Sequence, residues 1–270
     1  MTKKLIVLMD PIEKIKVHKD STYALMREAE SRGWLIYYMQ LTDLILQNGM
    51  ICAQTQQISF KEDDTNWYRY LSSKETAPLQ SFDIFFMRKD PPITASYIYA
   101  TQLLEMAQKQ GLLVVNDPRA LRDVNEKIFA TRFKELCPET LITAKKNLIH
   151  DFLRDQKKVI LKPLNGMGGD SIFFLERGNP NFHVIVDILT VQETVPIVVQ
   201  RFLAGIKKGD KRIFIIDGKP YPYGLKRIPP KGEVRANLAA GGTGVGFALT
   251  KKDMQIADGL SETLKKLGLI

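Results

Sequence analysis

The chain has 270 residues, 44% hydrophobic and 26% charged, and a formal net charge of +9. Such proportions describe a soluble globular protein able to bury a substantial core in one large domain or two or three smaller ones. They exclude a membrane-spanning helix, because no apolar run reaches the roughly 18 residues one needs.

In chain order, the opening Met1-Thr-Lys-Lys-Leu-Ile-Val-Leu-Met-Asp10 reads as a first strand, Leu5–Asp10, rather than as a signal peptide. A helical pattern follows from Ser21 to Arg32 and is stopped by Gly33, with Trp34–Met39 as the next strand. Met50–Phe60 alternates enough for a hairpin, Asn48-Gly49 being the turn signal. Asp83–Met87 is a strand, Ala95–Gln110 a helix closed by Gly111, and Leu112–Asn116 another strand. Strands alternating with helices predict an α/β domain with a parallel, doubly wound sheet. Ligands bind such sheets at the carboxyl ends of the strands, which puts Asp10-Pro-Ile12 and Met87-Arg-Lys-Asp-Pro-Pro92 at the working edge.

Near Asn116-Asp-Pro118 the pattern changes. Arg119–Leu136 reads as one helix, and Lys145–Gln156 contains a short one. Short strands follow at Val159–Lys162, Ile172–Leu175, Ile197–Phe202, Arg212–Ile216 and Tyr221–Leu225, with Asp217-Gly218 as a tight turn between the last two. His183–Leu189 and Lys251–Leu267 are the other helical patterns. An α+β half with antiparallel sheets is expected here.

Cys52 and Cys137 lie far apart without metal-ligand spacing and read as free thiols in a reducing cytoplasm. His18, His150 and His183 are too scattered for a zinc site. From Arg201 to Ile270 there are 14 Lys/Arg against 6 Asp/Glu, so nearly all the positive excess sits in the last quarter. These cations interleave with strands and glycine loops, and no nucleic-acid-binding motif accompanies them. A site for a small polyanion explains them as well as nucleic acid does.

Four constellations carry chemistry. In Val159-Ile-Leu-Lys-Pro-Leu-Asn-Gly-Met-Gly-Gly-Asp-Ser-Ile172, a strand ends at Lys162 and a glycine-rich tip leads into a second strand. Glycines let the backbone approach a ligand closely, and clustered N–H groups favour an anion. An ordinary glycine hairpin would look the same, and the loop alone does not separate the two. It is neither a Walker A loop nor a dinucleotide fingerprint, because a strand follows the glycines. Lys127, in Asp123-Val-Asn-Glu-Lys-Ile-Phe129, is by spacing alone a solvated helical lysine. Gln200-Arg-Phe-Leu203 is either an amphipathic strand end or the edge of an adenine slot. Arg212, Arg227 and Arg235 offer forked donors for carboxylates and phosphates, and Arg235 and Asn237 sit on a loop of small residues suited to a lid.

Together these parts resemble the ATP-grasp superfamily, and within it the bacterial glutathione synthetases. The resemblance is carried by Asn125-Glu-Lys127, Leu161-Lys-Pro-Leu-Asn-Gly-Met-Gly-Gly169, Gly209-Asp-Lys-Arg212, Lys226-Arg-Ile-Pro229 and Glu233-Val-Arg-Ala-Asn-Leu-Ala-Ala-Gly-Gly242. Met9-Asp-Pro-Ile12 and Phe86-Met-Arg-Lys-Asp-Pro-Pro92 agree with it. It implies three parts: an N-terminal α/β substrate domain, 1–118, a central ATP-grasp subdomain, 119–203, and a C-terminal one, 204–270, expected to be incomplete. It further implies ATP-dependent joining of γ-glutamylcysteine to glycine through an acyl phosphate, in the cytoplasm, by a homo-oligomer with no nucleic-acid or membrane partner. Another ATP-grasp carboxylate–amine ligase, or a catalytically impaired nucleotide-binding fragment, is the alternative.

By carry-over, Lys127 and Lys162 hold phosphates, and the loop Asn165, Gly166, Met167, Gly168 and Gly169 closes over them. Gln200, Arg201, Phe202 and Leu203 border the adenine. Arg212, Arg227, Arg235 and Asn237 bind the dipeptide or stabilise the acyl phosphate, and Ile228–Gly242 is the lid. ATP and Mg²⁺ are the cofactors implied, with Mn²⁺ able to substitute. The family's metal-binding Glu-x-Asn segment lies beyond a position equivalent to Ile270, so a truncated or incompletely represented chain is expected. Asp210 is the nearest replacement carboxylate.

Overall fold

The computed structural model describes residues 2–63 and 65–270. The chain forms two compact units, Met1–Asp123 with Leu264–Ile270, and Val124–Thr263.

In the first unit, β1 (Lys4–Met9), α1 (Ser21–Ser31) and β2 (Leu35–Met39) come first, followed by β3 (Leu44–Gln47), β4 (Met50–Phe60), β5 (Tyr68–Tyr70) and β6 (Glu75–Pro78). Then come β7 (Ile84–Arg88), α2 (Ala95–Lys109), β8 (Leu113–Val115) and α3 (Pro118–Asp123). The sheet order is β3-β4-β2-β1-β7-β8, with β5 and β6 also paired to β4. Strands β2, β1, β7 and β8 are parallel, and β4 runs antiparallel to β2.

Alternation along β1 explains the double winding, since successive side chains of a strand point to opposite faces. Leu5 and Val7 pack with Met26 and Ala29 of α1, whereas Ile6 and Leu8 pack with Ala100 and Leu104 of α2. The sheet is thus mixed rather than wholly parallel. Met50–Phe60 is one long strand and not a hairpin in itself; it turns back on β3 through Asn48 and Gly49, both at positive φ. Being 11 residues long, it serves β3 and β6 at one end and β2 and β5 at the other.

The second unit holds α4 (Glu126–Phe129), β9 (Thr140–Thr143), α5 (Lys146–Gln156), β10 (Lys158–Pro163), β11 (Phe173–Glu176), α6 (Phe182–Thr190) and β12 (Ile197–Arg201). It continues through β13 (Asp210–Ile216), β14 (Lys219–Ile228) and β15 (Thr243–Ala248) into α7 (Lys251–Lys266), whose residues from Leu264 onward belong to the first unit. Its two sheets are antiparallel throughout, in the orders β11-β10-β12-β9 and β13-β14-β15. Val159, Leu161, Ile197 and Val199 are buried against Ile149 and Leu153 of α5 and Phe182 and Val186 of α6. The helices therefore cover one face of the first sheet and leave the alternate residues Ile160, Lys162 and Gln200 on the other.

A further sequence expectation needs correction. Arg119–Leu136 is not one helix. After α3 the chain breaks, and Asn125 starts α4 afresh by accepting from the N–H groups of Lys127 and Ile128; short 3₁₀ turns at Ala130–Arg132 and Lys134–Leu136 complete the segment. Asparagine at such a position competes for backbone donors and so opens a helix rather than continuing one. The segment after Gly242, in turn, contains a strand, β15, hidden in the sequence by Gly244 and Gly246. A Cβ on Gly244 would lie 3.1 Å from Leu225 Cδ1 on β14, so the glycine permits the close pairing.

Candidate active site

A cavity of about 740 Å³ opens in the second unit. Its floor follows from the alternation just described: Ile160 and Lys162 come from β10, and Gln200 from the adjacent β12. Lys162 Nζ donates to Gln200 Oε1 at 2.7 Å. Burial pushes the Lys162 pKa down, and the nearby Lys127 charge adds to the effect. Two cations held close, one of them paired with Glu126, suit an anion.

The glycine tip between β10 and β11 is bound to α4. Asn125 Nδ2 donates to Leu164 O at 3.1 Å, and Lys127 Nζ donates to Gly166 O at 2.9 Å and Leu164 O at 3.2 Å. Lys127 also pairs with Glu126. Gly168 and Gly169 have φ of +67° and +89°, in the left-handed region that glycine enters without strain. A Cβ on Gly169 would fall 2.6 Å from Asn237 Oδ1, so the tip touches the lid loop. Arg235 Nη1 donates to Gly169 O at 3.4 Å and pairs with Glu233 at 2.7 Å. Hydrogen bonds from Arg235 and from the Val234 N–H hold the Glu233 carboxyl down to about 2.

The remaining wall comes from β13 and β14. Asp210 and Arg227 are direct cross-strand partners, joined by two hydrogen bonds of 2.8 and 2.6 Å. Arg212 lies beside them; burial lowers its pKa first, then the Arg227 charge, while Asp210 opposes. Among the described residues its guanidinium makes no such bidentate pair, and Arg212 lines the cavity, where a forked donor suits an anionic ligand.

Lys127, Lys162, Gly166, Met167, Gly168, Gly169, Gln200, Arg201, Phe202, Leu203, Asp210, Arg212, Arg227, Arg235 and Asn237 all line this cavity, whereas Asn165 does not. The sequence reading missed the apolar lining of Pro138, Ile160, Ile172 and Ile206, together with Glu126 and Asp170. Ile160 was accessible through its two-residue spacing from Lys162. Ile206, on a 3₁₀ turn, carried no local signal. Among the described residues, no group of three or more His, Cys, Asp and Glu side chains gathers as a metal site. The oxygens of Asp210 are already engaged by Arg227, so the residues present do not fit a dedicated metal centre.

Comparison with known proteins bears on the whole chain. Residues 3–122 match the family described as prokaryotic glutathione synthetase, N-terminal domain, and residues 126–270 match prokaryotic glutathione synthetase, ATP-grasp domain. The chain belongs to the prokaryotic glutathione synthetase family. A glutathione synthetase of Vibrio vulnificus (strain YJ016) is 48% identical to this family member over 99% of the chain and 84% of the relative. One from Coxiella burnetii is 45% identical over 100% and 84%. Among solved structures, the ATP-grasp ligase PsnB, complexed with minimal precursor, Mg and ADP, superposes with a TM-score of 0.54 at 16% identity. That match covers 98% of this chain and 81% of PsnB and extends the fold likeness to the wider ATP-grasp ligases. Among the described residues no helix is long and apolar enough to cross a membrane.

Proposed function

We propose that the chain is an ATP-dependent ligase that joins γ-glutamylcysteine to glycine, giving glutathione, ADP and phosphate. The observation that carries this reading is the meeting, in one cavity, of Lys127, Lys162 and the glycine tip with Arg212, Arg227, Arg235 and Asn237. Family membership selects the substrates. ATP lies with its adenine along Gln200–Leu203 against the apolar residues Ile160, Phe202 and Ile206, and its phosphates towards Lys162, Lys127 and the N–H groups of the tip. The reading takes 119–203 and 204–270 as its two ATP-grasp subdomains.

The dipeptide carboxylate attacks the γ-phosphorus in line, and ADP leaves. Glycine's amine then attacks the acyl carbon and expels phosphate as the amide forms. The protein's part is positioning and charge neutralisation. Lys127 and Lys162 offset phosphate charge, Arg212 and Arg227 orient the dipeptide, and Arg235 and Asn237 on the lid hold the acyl phosphate away from water, which would hydrolyse it. The reading implies Mg²⁺, with Mn²⁺ able to substitute; it would enter with ATP and would supply charge neutralisation, since the described side chains do not gather as a metal centre of their own. The reading includes a cytoplasmic homo-oligomer without nucleic-acid or membrane partners; light scattering tests the assembly.

The test of function is ADP release from ATP and Mg²⁺ with γ-glutamylcysteine and glycine, each omitted in turn. Release that needs both amino components, with glutathione formed in equal amount, is expected. Nucleotide binding without release, or release driven by other amino acids, would refute the assignment.

A further inference from the structure

We propose that Thr140, which lies outside the cavity wall, is a positioning residue that fixes which end of the Gln200 amide meets Lys162. The inference rests on the reading of the cavity as a nucleotide site and adds to it the element that sets the orientation of a phosphate-binding lysine.

A glutamine amide can be placed two ways in the same space, with its oxygen and its NH₂ exchanged. Only one of them suits Lys162, whose ammonium is a donor and needs an acceptor. With the amide reversed, NH₂ would face NH₃⁺ with no acceptor between them. The same choice is enforced from the other end. Thr140 Oγ1 donates its proton to Pro138 O at 2.8 Å, leaving its lone pairs to accept Gln200 Nε2 at 2.9 Å. The Gln200 oxygen is thereby turned to Lys162 Nζ at 2.7 Å.

Strand register builds this chain. Thr140 on β9 and Gln200 on β12 are direct cross-strand partners, and Gln200 is in turn opposite Ile160 on β10, two residues from Lys162. A hydroxyl one strand away from the cavity thus determines the polarity of a bond inside it. The need for an acceptor is sharpened by the surroundings of Lys162, where Lys127 is the neighbouring cation and Glu126 is engaged with Lys127.

Trace acetylation of the full chain with acetic anhydride, read at Lys162 by peptide mass spectrometry, tests the inference. Exposed Lys109 is the reference, and ATP affinity is measured by calorimetry alongside. In Thr140→Val, a near-isostere without the hydroxyl, the ammonium loses its enforced acceptor. Lys162 should then be acetylated about tenfold faster at neutral pH, and ATP should bind about tenfold more weakly, a change of ~1.4 kcal/mol. Thr140→Ser, which keeps the hydroxyl, should match the parent in both. Gln200→Leu removes the oxygen outright and sets the fastest labelling expected, and Thr140→Ala, which also lacks the hydroxyl, should be labelled as fast as the valine variant, which keeps the test decisive even if the valine variant folds poorly. A parental labelling rate in Thr140→Val or Gln200→Leu, or a serine variant as fast as the valine one, would overturn the proposal. ATP should protect Lys162 in the parent. Absence of that protection would instead overturn the nucleotide reading of the cavity, leaving the Thr140 relay to be judged by the labelling ratios alone.

Discussion

Gly169 concentrates two constraints on one atom that it lacks. Its φ of +89° is unfavourable for any L side chain, and an added Cβ would meet Asn237 Oδ1 at 2.6 Å. Gly169→Ala therefore should both strain the tip and push it from the lid, weakening ATP binding by about tenfold, near ~1.4 kcal/mol by calorimetry. Little change would mean that the tip and lid do not act together. The sequence offered Gly169 as part of a phosphate loop or of a plain turn, and could not decide between them. What distinguishes the two is the company the loop keeps: Lys127, 39 residues before Gly166 in the chain, donates to its carbonyl. Such a contact is set by packing and leaves no local trace in the sequence.

At the scale of elements, helix ends hold the site together. Asn125 caps α4 and also ties it to Leu164 O. Asn125→Ala should cost about 1 kcal/mol of stability, the usual loss for a cap, and should release Lys127 from the tip. Urea denaturation and ATP calorimetry measure the two effects, and a stability loss with unaltered binding would separate the cap from the site. At the other wall, Asp253 near the start of α7 accepts from Lys211 on β13 and from Thr250. Hydrogen bonding from Lys211, then from Thr250, lowers the Asp253 pKa to about 2 from an ordinary value of 3.8. Because the folded-state value is depressed, the carboxylate contributes stability that is present in full above the unfolded value and is lost as pH falls through about 2. Asp253→Asn should destabilise the chain by about 1–3 kcal/mol at pH 7 in urea, with the gap to the parent already narrowing at about pH 3. A pH-independent gap would place the loss in packing. Periodicity disclosed α1, α2 and α5 to within a residue or two, because each buries one regular face, and β1 read as a strand from a short apolar run that is buried on both faces. Periodicity failed at Arg119–Leu136, where an internal cap interrupts a helical composition, and it left the short strands β3, β5, β6 and β9 unassigned, along with β15, whose glycines mask the alternation.

At the scale of the whole molecule, part of the positive excess gathers where an anion could use it. The cavity gathers Lys127, Lys162, Arg201, Arg212, Arg227 and Arg235 against Glu126, Asp170 and Asp210. Screening should therefore weaken ATP binding as ionic strength rises from about 0.05 to about 0.5 M, with the Debye length falling below the span of the site. Affinity indifferent to salt in a filter-binding series would show that apolar contacts around the adenine dominate instead. The sequence by itself determined the class of fold, the family and the residues able to bind an anion, because strand and helix periods, glycine tips and arginine spacing are local and survive in the order of the residues. Only the tertiary structure decided which of those residues share a cavity, that Asp210 is engaged by Arg227, and that Thr140 reaches Lys162 through Gln200. These are pairings across strands and between segments far apart in the chain, fixed by register and packing, and no run of neighbouring residues encodes them alone.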